Sequence, residues 1–318
     1  MTKIAILTSG GDAPGMNAAI RAVVRSALVE GFETYVVYDG YKGLYEGKIK
    51  QVERYFVSEI INRGGTIIGT ARLPQFVNLD VQETSANNLK KLGIKNLVVI
   101  GGDGSYRGAL ALSKFGIKCV CLPGTIDNDL SSTDFTIGFD TALNTIIEAV
   151  DKLRDTSSSH QRCSIIEVMG RNCGDLALYS GIAAGAELIL SSERVMTKEM
   201  ILSELIQAKS EGKRHEIVIV SEKLFDVNKL AEEIEQKVGM EARATILGHL
   251  QRGGKPSAFD RVLASRMGSR AVEAFESCYS SCCIGIKNNQ VVVMDLETSL
   301  KMPRMVDLRL YTDSERLK

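Results

Sequence analysis

The 318 residues contain only three histidines, and the seven cysteines (119, 121, 163, 173, 278, 282 and 283) show no zinc-ligand spacing, so no structural zinc is expected. An odd cysteine count without a bridge framework points to reduced thiols in a cytosolic chain. Cys119 and Cys121 fall on one face of a buried-looking strand. No stretch reaches the roughly 18 apolar residues of a membrane span, and the run within Met1-Thr2-Lys3-Ile4-Ala5-Ile6-Leu7-Thr8 is too short for a signal peptide. The expected location is the cytoplasm. Net charge is missing as well. Thirty-nine basic residues balance thirty-nine acidic ones, so nothing global draws the chain to nucleic acid or to an acidic membrane.

What is present is enough chain for a large core and, on length, two domains. Lys3 to Thr8 reads as a buried strand, and Ser9-Gly10-Gly11-Asp12-Ala13-Pro14-Gly15-Met16-Asn17 as a glycine turn before a helix to about Glu30. Thr34 to Tyr38 is a second strand, and helix Glu83 to Leu92 leads to strand Leu97 to Ile100. A helix over Tyr106 to Phe115 returns to the strand Ile117 to Leu122, and another runs from Phe139 to Arg154. The serine-rich Thr156 to Gln161 reads as a linker or hinge. Strands at Ser164 to Val168, Glu187 to Leu190, Ile217 to Ser221 and Val291 to Met294 alternate with helices near Lys198 to Lys209, Val227 to Val238 and Phe259 to Phe275. No low-complexity segment interrupts them. The pattern predicts two doubly wound α/β (Rossmann-like) domains, with the active site between them at the carboxyl edges of their sheets.

Five loops carry chemistry. The turn after the first strand offers free backbone N–H groups and a helix dipole to a phosphate, although it lacks the Lys-Ser/Thr ending of a P-loop and the G-x-G-x-x-G spacing. Asp39-Gly40-Tyr41-Lys42-Gly43-Leu44 reads as a loop whose tyrosine either lies on a flat base or simply packs. Gly69-Thr70-Ala71-Arg72 brings a guanidinium within reach of a phosphoryl group. Gly101-Gly102-Asp103-Gly104-Ser105 and Pro123-Gly124-Thr125-Ile126-Asp127-Asn128-Asp129 follow neighbouring strands, so the carboxylates of the second are either catalytic or the makings of an Asx turn. Phosphoryl transfer needs backbone donors, a hard cation, a base and positive charge. The glycine loops, Asp103, Asp127, and Arg72 with Arg171 supply one each. A carboxylate, ionised at neutral pH, accepts a hydroxyl proton as the new bond forms.

With Glu167-Val168-Met169-Gly170-Arg171 and Gly248-His249-Leu250-Gln251-Arg252-Gly253-Gly254 added, these motifs resemble, in order and over essentially the full chain, those of the bacterial-type ATP-dependent 6-phosphofructokinases. The resemblance implies transfer of the ATP γ-phosphoryl to O1 of fructose 6-phosphate, the committed step of glycolysis. It implies an ATP domain of residues 1–138 plus about 251–300, and a fructose 6-phosphate domain of 139–250 plus about 301–318. ATP would lie over Gly11, Tyr41, Arg72, Leu73, Gly102, Asp103, Gly104 and Ser105, with Asp103 holding Mg2+. Asp127 would take the proton of the 1-hydroxyl, Thr125 would position the acceptor, and Arg72 and Arg171 would steady the moving charge. Met169, Gly170 and Glu222 would contact the sugar, and Arg162, Arg243, His249 and Arg252 its 6-phosphate. The resemblance has Arg162 and Arg243 reach in from a neighbouring subunit of a homotetramer.

It also implies an allosteric site between subunits, built from Arg21, Arg25, Arg54, Glu59, Arg154, Gly185, Glu187, Lys213, Arg214 and His215, that takes ADP-Mg2+ or phosphoenolpyruvate. Two positions depart from the family pattern: Glu211 is acidic where a basic residue is usual, and Gln161 replaces a glutamate. The neutral glutamine predicts blunted inhibition by phosphoenolpyruvate. Pyrophosphate-using relatives carry an aspartate and a lysine where this chain has Gly104 and Gly124, so the glycines favour ATP over pyrophosphate. A kinase for another sugar phosphate is the remaining alternative within the fold. A nucleotide sensor without chemistry should lack the base or the metal carboxylate, and both Asp127 and Asp103 are present.

Overall fold

The computed structural model describes residues 2–277 and 280–317. The expected free thiol Cys278 lies outside the described residues; the other six cysteines are buried and no disulfide joins them. The chain forms two compact α/β units, Met1–Thr141 with Arg252–Arg304, and Ala142–Gln251 with Met305–Lys318.

The first unit holds a seven-stranded sheet. β1 (Lys3–Thr8), β2 (Glu33–Val37), β4 (Asn96–Gly101), β5 (Lys118–Pro123) and β10 (Cys282–Lys287) run parallel, while β3 (Ile49–Val52) and β11 (Gln290–Asp295) close the two edges antiparallel, in the order β11-β10-β5-β4-β1-β2-β3. Strands covered on both faces need apolar residues at every position rather than alternate ones. Ile4, Ala5, Ile6 and Leu7 are accordingly all fully buried. Ala5 and Leu7 face a core shared with α3 (Leu79–Lys91) and α4 (Asp103–Ser113), and α1 (Met16–Val29) packs against α9 (Ala258–Ser277) on the other side. At about 1.5–3 kcal/mol for each large aliphatic side chain, these two layers supply most of the favourable free energy.

The second unit carries a smaller, all-parallel sheet in the order β7-β8-β6-β9, from β6 (Cys163–Val168), β7 (Leu188–Leu190), β8 (Glu216–Ser221) and β9 (Ala242–Ile246). α7 (Lys198–Ser210) and α8 (Val227–Val238) bury Ile201, Leu205, Leu230 and Ile234 against Ile165, Val218 and Val220. α6 (Asp175–Ala183) contacts β7, β8 and the C-terminal helix α11 (Leu308–Arg316).

The winding matches the sequence expectation, with several corrections. Helices α6, α10 (Leu296–Lys301) and α11 and strands β3, β9 and β10 were not expected: β3 exposes Lys50 and Gln51 and β9 exposes Arg243 and Ile246, so neither shows a strand pattern, while β10 holds the Cys282-Cys283 pair. Tyr41 belongs not to a loop but to a short helix, α2 (Gly40–Tyr45). The serine-rich segment is not a linker. α5 (Phe139–His160) runs through it, with Ser157 and Ser159 turning their hydroxyls back onto the carbonyls of Leu153 (2.7 Å) and Asp155 (2.9 Å), where they do not compete for the backbone N–H groups, and with Ser157 Oγ meeting Ser164 Oγ. Helix α3 begins four residues before the expected Glu83, where Asn78 opens it after a 3-10 turn.

Candidate active site

From β1 the chain leaves to one side through α1 and returns on the other side at β4, so the loops after β1 and β4 diverge at the carboxyl edge of the first sheet. Such a point of divergence is where open α/β sheets take ligands. The two loops are joined at their roots by Ser9 N–H donating to Ile100 O (2.9 Å). Gly102 precedes the first turn of α4, with Ser105 and Tyr106 N–H both donating to its carbonyl, and Asp103 is the first residue of that helix. The Asp103 carboxylate is 38 % exposed and meets the guanidinium of Arg107 one turn on, at 2.9 and 3.2 Å.

The next strand brings in the second carboxylate. β4 and β5 pair Gly101 with Pro123, and Gly124 N–H donates to Gly101 O (3.1 Å), so the loops bearing Asp103 and Asp127 leave adjacent strand ends in the same direction. They touch: a Cβ built on Gly102 would lie 3.7 Å from Thr125 Cβ. Thr125, Asp127 and Asn128 are 7, 6 and 8 % exposed. The loop is held by its own polar groups. Thr125 Oγ1 accepts from Asp127 N–H (3.2 Å), Thr136 Oγ1 donates to Thr125 O (2.6 Å), and the Asn128 amide bonds Asp134 O and Thr136 N–H (3.2 and 3.0 Å). The turn chemistry expected as an alternative is therefore present, but it is Thr125 and Asn128 that supply it.

Behind this loop stands a residue the sequence reading passed over. Asp260, at the start of α9, is fully buried and accepts from Gly138 N–H (2.8 Å), Thr141 N–H (2.8 Å) and the Thr141 hydroxyl (2.5 Å), which fixes the first turn of α5. Burial pushes its carboxyl up to about 6 against the pull of these three donors. The signal was available as Ser257-x-x-Asp260, a capping-box spacing, and Ser257 Oγ does accept from Asp260 N–H (3.1 Å).

Tyr41 is placed differently from the expected base platform. It is 5 % exposed, lies 4.3 Å from the Phe76 ring, and donates its hydroxyl to Ser105 O (2.7 Å). In this position it supports the Asp103 loop from inside the core. Arg72 is exposed and Leu73 half-buried, on the stretch that follows Gly69 and Thr70. The guanidinium of Arg252 passes over Gly11, its Cζ 3.0 Å from where a Cβ would stand. Arg252 thus lies against the β1–α1 loop. Burial raises the neighbouring Asp12 carboxyl above its ordinary value, against the pull of the Thr66 and Ala13 N–H groups and, least, of Arg252. A side chain at Gly104 would meet nothing within 4 Å, whereas at Gly124 a Cβ would press on Ile100 Cγ2 (2.9 Å) and Met16 Cε (3.1 Å). The open space at Gly104 suits a bulky donor; the glycine at 124 is required by packing as well.

In the second unit, the carboxyl ends of β6 and β8 gather Met169, Gly170, Arg171 and Glu222. Arg171, with φ 61°, donates its N–H to Glu222 Oε1 (2.7 Å), and Met169 N–H donates to the buried Gln251 Oε1 (3.0 Å). Burial and then Glu222 push the Glu167 carboxyl up beneath them. His249 is exposed on the turn Gly248–Arg252 after β9, at this same edge. Arg162 and Arg243 are not. They stand at the amino ends of β6 and β9, where Arg162 Nε meets Glu241 (2.7 Å) and Arg243 meets Glu235 (2.8 Å) and Glu241 (2.5 Å). A six-residue strand spans about 17–20 Å, so these two arginines and His249 of one chain cannot share a phosphate.

The expected effector residues divide between the units. Arg25 and Arg54 line a cavity of about 290 Å³ together with the acidic Glu30 and Glu273, and burial together with Arg21 and Arg54 lowers the Arg25 pKa. Glu59 stands apart from that lining in the segment that follows, with φ 57°. At the amino edge of the second sheet, Arg154 donates to Ala184 O and Gly185 O (2.5 and 2.9 Å) and Glu187 accepts from Ile217 N–H (2.7 Å), with Lys213, Arg214 and His215 on the loop entering β8. Glu216 is fully buried there, and both carboxylate oxygens lack a hydrogen-bond partner. Burial first, then Glu187, push it up to about 7, against the opposing pull of Lys213. The sequence gives no sign of it, since Glu216 sits at the head of an ordinary apolar strand.

The phosphofructokinase family model matches residues 3–275. A Vibrio cholerae serotype O1 protein described as ATP-dependent 6-phosphofructokinase is 56% identical over 316 residues, covering 99% of both chains, and a Vibrio campbellii protein so described is 55% identical over the same span. Among solved structures, the phosphofructokinase from Saccharomyces cerevisiae matches all of this chain and 48% of its own, with TM-score 0.89 and 37% identity. A pyrophosphate-dependent phosphofructokinase from Marinobacter aquaeolei shares the fold, with TM-score 0.87 at 22% identity over 99% of this chain and 88% of that one.

Proposed function

Since the chain belongs to the phosphofructokinase family, we propose that it transfers the γ-phosphoryl of ATP to O1 of fructose 6-phosphate, releasing fructose 1,6-bisphosphate and ADP. The observation that carries this reading is the pairing of Asp103 and Asp127 on touching loops at adjacent strand ends, beside the glycine turn of β1. On this reading the first unit takes ATP and the second the sugar phosphate. Asp127 removes the proton of the 1-hydroxyl, and Thr125, whose Oγ1 holds the Asp127 backbone N–H, keeps the loop in register with the acceptor. Arg72 and Arg171 carry positive charge to the moving phosphoryl, where it counts most in the transition state. The N–H groups of the glycine loops hold the phosphate chain.

Mg2+ takes one or two carboxylates together with phosphate oxygens and water. Asp103, partly exposed beside the open space over Gly104, suits that donor set and would hold the ion, which when bound neutralises charge on the phosphate chain. The open space also supports ATP as the donor over pyrophosphate. The opposite-edge placement of Arg162 and Arg243 supports their service to a neighbouring copy, and hence a homotetramer. The arginine-lined cavity and the amino edge of the second sheet support an effector site for ADP or phosphoenolpyruvate. No helix among the described residues is long and apolar enough to cross a membrane, in keeping with a cytoplasmic enzyme.

A coupled assay with ATP or pyrophosphate as donor, and fructose 6-phosphate or other sugar phosphates as acceptor, tests the reading. ATP with fructose 6-phosphate should give the highest kcat/KM. Pyrophosphate outperforming ATP would overturn the donor assignment.

A further inference from the structure

Asn17 closes the first glycine-rich stretch of the sequence, yet nothing in the proposed reaction uses it. It is the second residue of α1 and is fully buried. Its side-chain amide donates to Arg63 O (2.9 Å) and Gly65 O (2.7 Å) and accepts from Ile67 N–H (2.9 Å), so both ends of the amide are committed to the segment 63–67. Two carbonyls on one side and an N–H on the other fit only an amide in this orientation.

Backbone bonds tie the segment at Arg63 N–H to Ile60 O (3.0 Å), Gly69 N–H to Thr66 O (3.2 Å) and Asp39 N–H to Ile68 O (2.9 Å), and Ile68 is fully buried. Residues 61–72 contain no helix or strand, and side chains of the β1–α1 region make most of their side-chain ties. Asp12 Oδ1 accepts from Thr66 N–H (3.2 Å), Thr8 Oγ1 lies 3.0 Å from Thr66 Oγ1 and donates to Gly69 O (2.8 Å), and Thr70 Oγ1 donates to Gly10 O (3.0 Å). The three bonds of Asn17 hold residues 63, 65 and 67, these further ties continue to Thr70, and Thr70 lies two residues before the exposed Arg72.

We propose that Asn17 is a positioning residue for Arg72: its buried amide fixes the 63–70 segment on the helix that follows the phosphate-binding turn, and so sets where the Arg72 guanidinium stands. The inference rests on the transition-state role given to Arg72 above. Displacement of a catalytic group by about 1 Å can cost roughly 10²-fold in rate, so a buried tie several residues away acts on turnover.

Asn17→Asp is the informative change. It keeps the acceptor for Ile67 N–H but turns a carboxylate oxygen towards two carbonyls, while a carboxylate at a helix N-terminus is otherwise well tolerated. Asn17→Ser is the companion, and melting curves establish that each variant is folded. In the full-length enzyme kcat should fall about 10- to 100-fold, with the fructose 6-phosphate KM within about threefold of wild type. In an Arg72→Ser background the same change should cost less than about threefold, because its effect passes through the arginine. A full loss persisting on top of Arg72→Ser, or an unchanged kcat in both folded Asn17 variants, overturns the Asn17 assignment alone. An Arg72→Ser enzyme with wild-type kcat overturns the reading of Arg72 and this inference with it.

Discussion

Asp127 lies 6 % exposed on the loop after β5, where little water would compete for a proton if it serves as the proposed base. Replacing it with serine should lower kcat by about 10²- to 10⁴-fold and leave the KM for fructose 6-phosphate near wild type. A raised KM with intact turnover would assign it to binding instead. Glu216 offers a test on stability. Its carboxyl is raised in the fold to about 7 from 4.5, so the folded chain keeps the proton over a range in which the unfolded chain has lost it. Below about pH 4.5 the group costs nothing. As pH rises to 7 the unfolded state gains by ionising first, and stability falls. Glu216→Gln should therefore stabilise the protein by on the order of 2 kcal/mol at pH 8 and by much less at pH 5, measured by urea unfolding at the two pH values. An equal gain at both would mean that charge is not the cause.

Among the elements, Asp260 is the residue whose loss should be felt furthest from its own position. It accepts three hydrogen bonds from the first turn of α5, which opens where the Asp127 loop ends. Asp260→Ala leaves buried donors without a partner and should cost about 2–4 kcal/mol. Asp260→Asn, which retains one acceptor oxygen, should cost less, and thermal melts of the pair check the order. Elements were legible in the sequence where one periodicity dominates. α8 matches its expected bounds, from Asp226 as cap to the left-handed Gly239, because apolar spacing and both stop signals agree. The end of α5 was illegible because serine runs favour turns in isolation, whereas here Ser157 is buried and meets Ser164, a contact the local sequence does not reveal. Tyr41 misled for a related reason: flanking glycines suggest a loop, while the ring and hydroxyl find partners in Phe76 and Ser105, residues 35 and 64 positions away.

At the scale of the whole molecule, the chemical loops were readable because each is a contiguous stretch at a strand end. The grouping of distant arginines was not. His249 and Arg243 are six residues apart in sequence yet lie at opposite ends of β9, a separation that only the strand direction reveals. If the proposed sharing between copies holds, two crippled chains should rescue each other. Coexpressing Asp127→Ser chains with chains carrying Arg162→Ala and Arg243→Ala should restore activity well above either parent, since some sites then combine an intact base with intact arginines. Activity no higher than that of the parents mixed after purification would confine each site to one chain. The two strands β10 and β11, drawn from residues 282–295, complete a sheet begun at residue 3. A nascent chain therefore emerges from the ribosome with β5 as an open apolar edge, and must keep that edge from other chains until the larger part of the second unit, residues 142–251, and helix α9 have been translated.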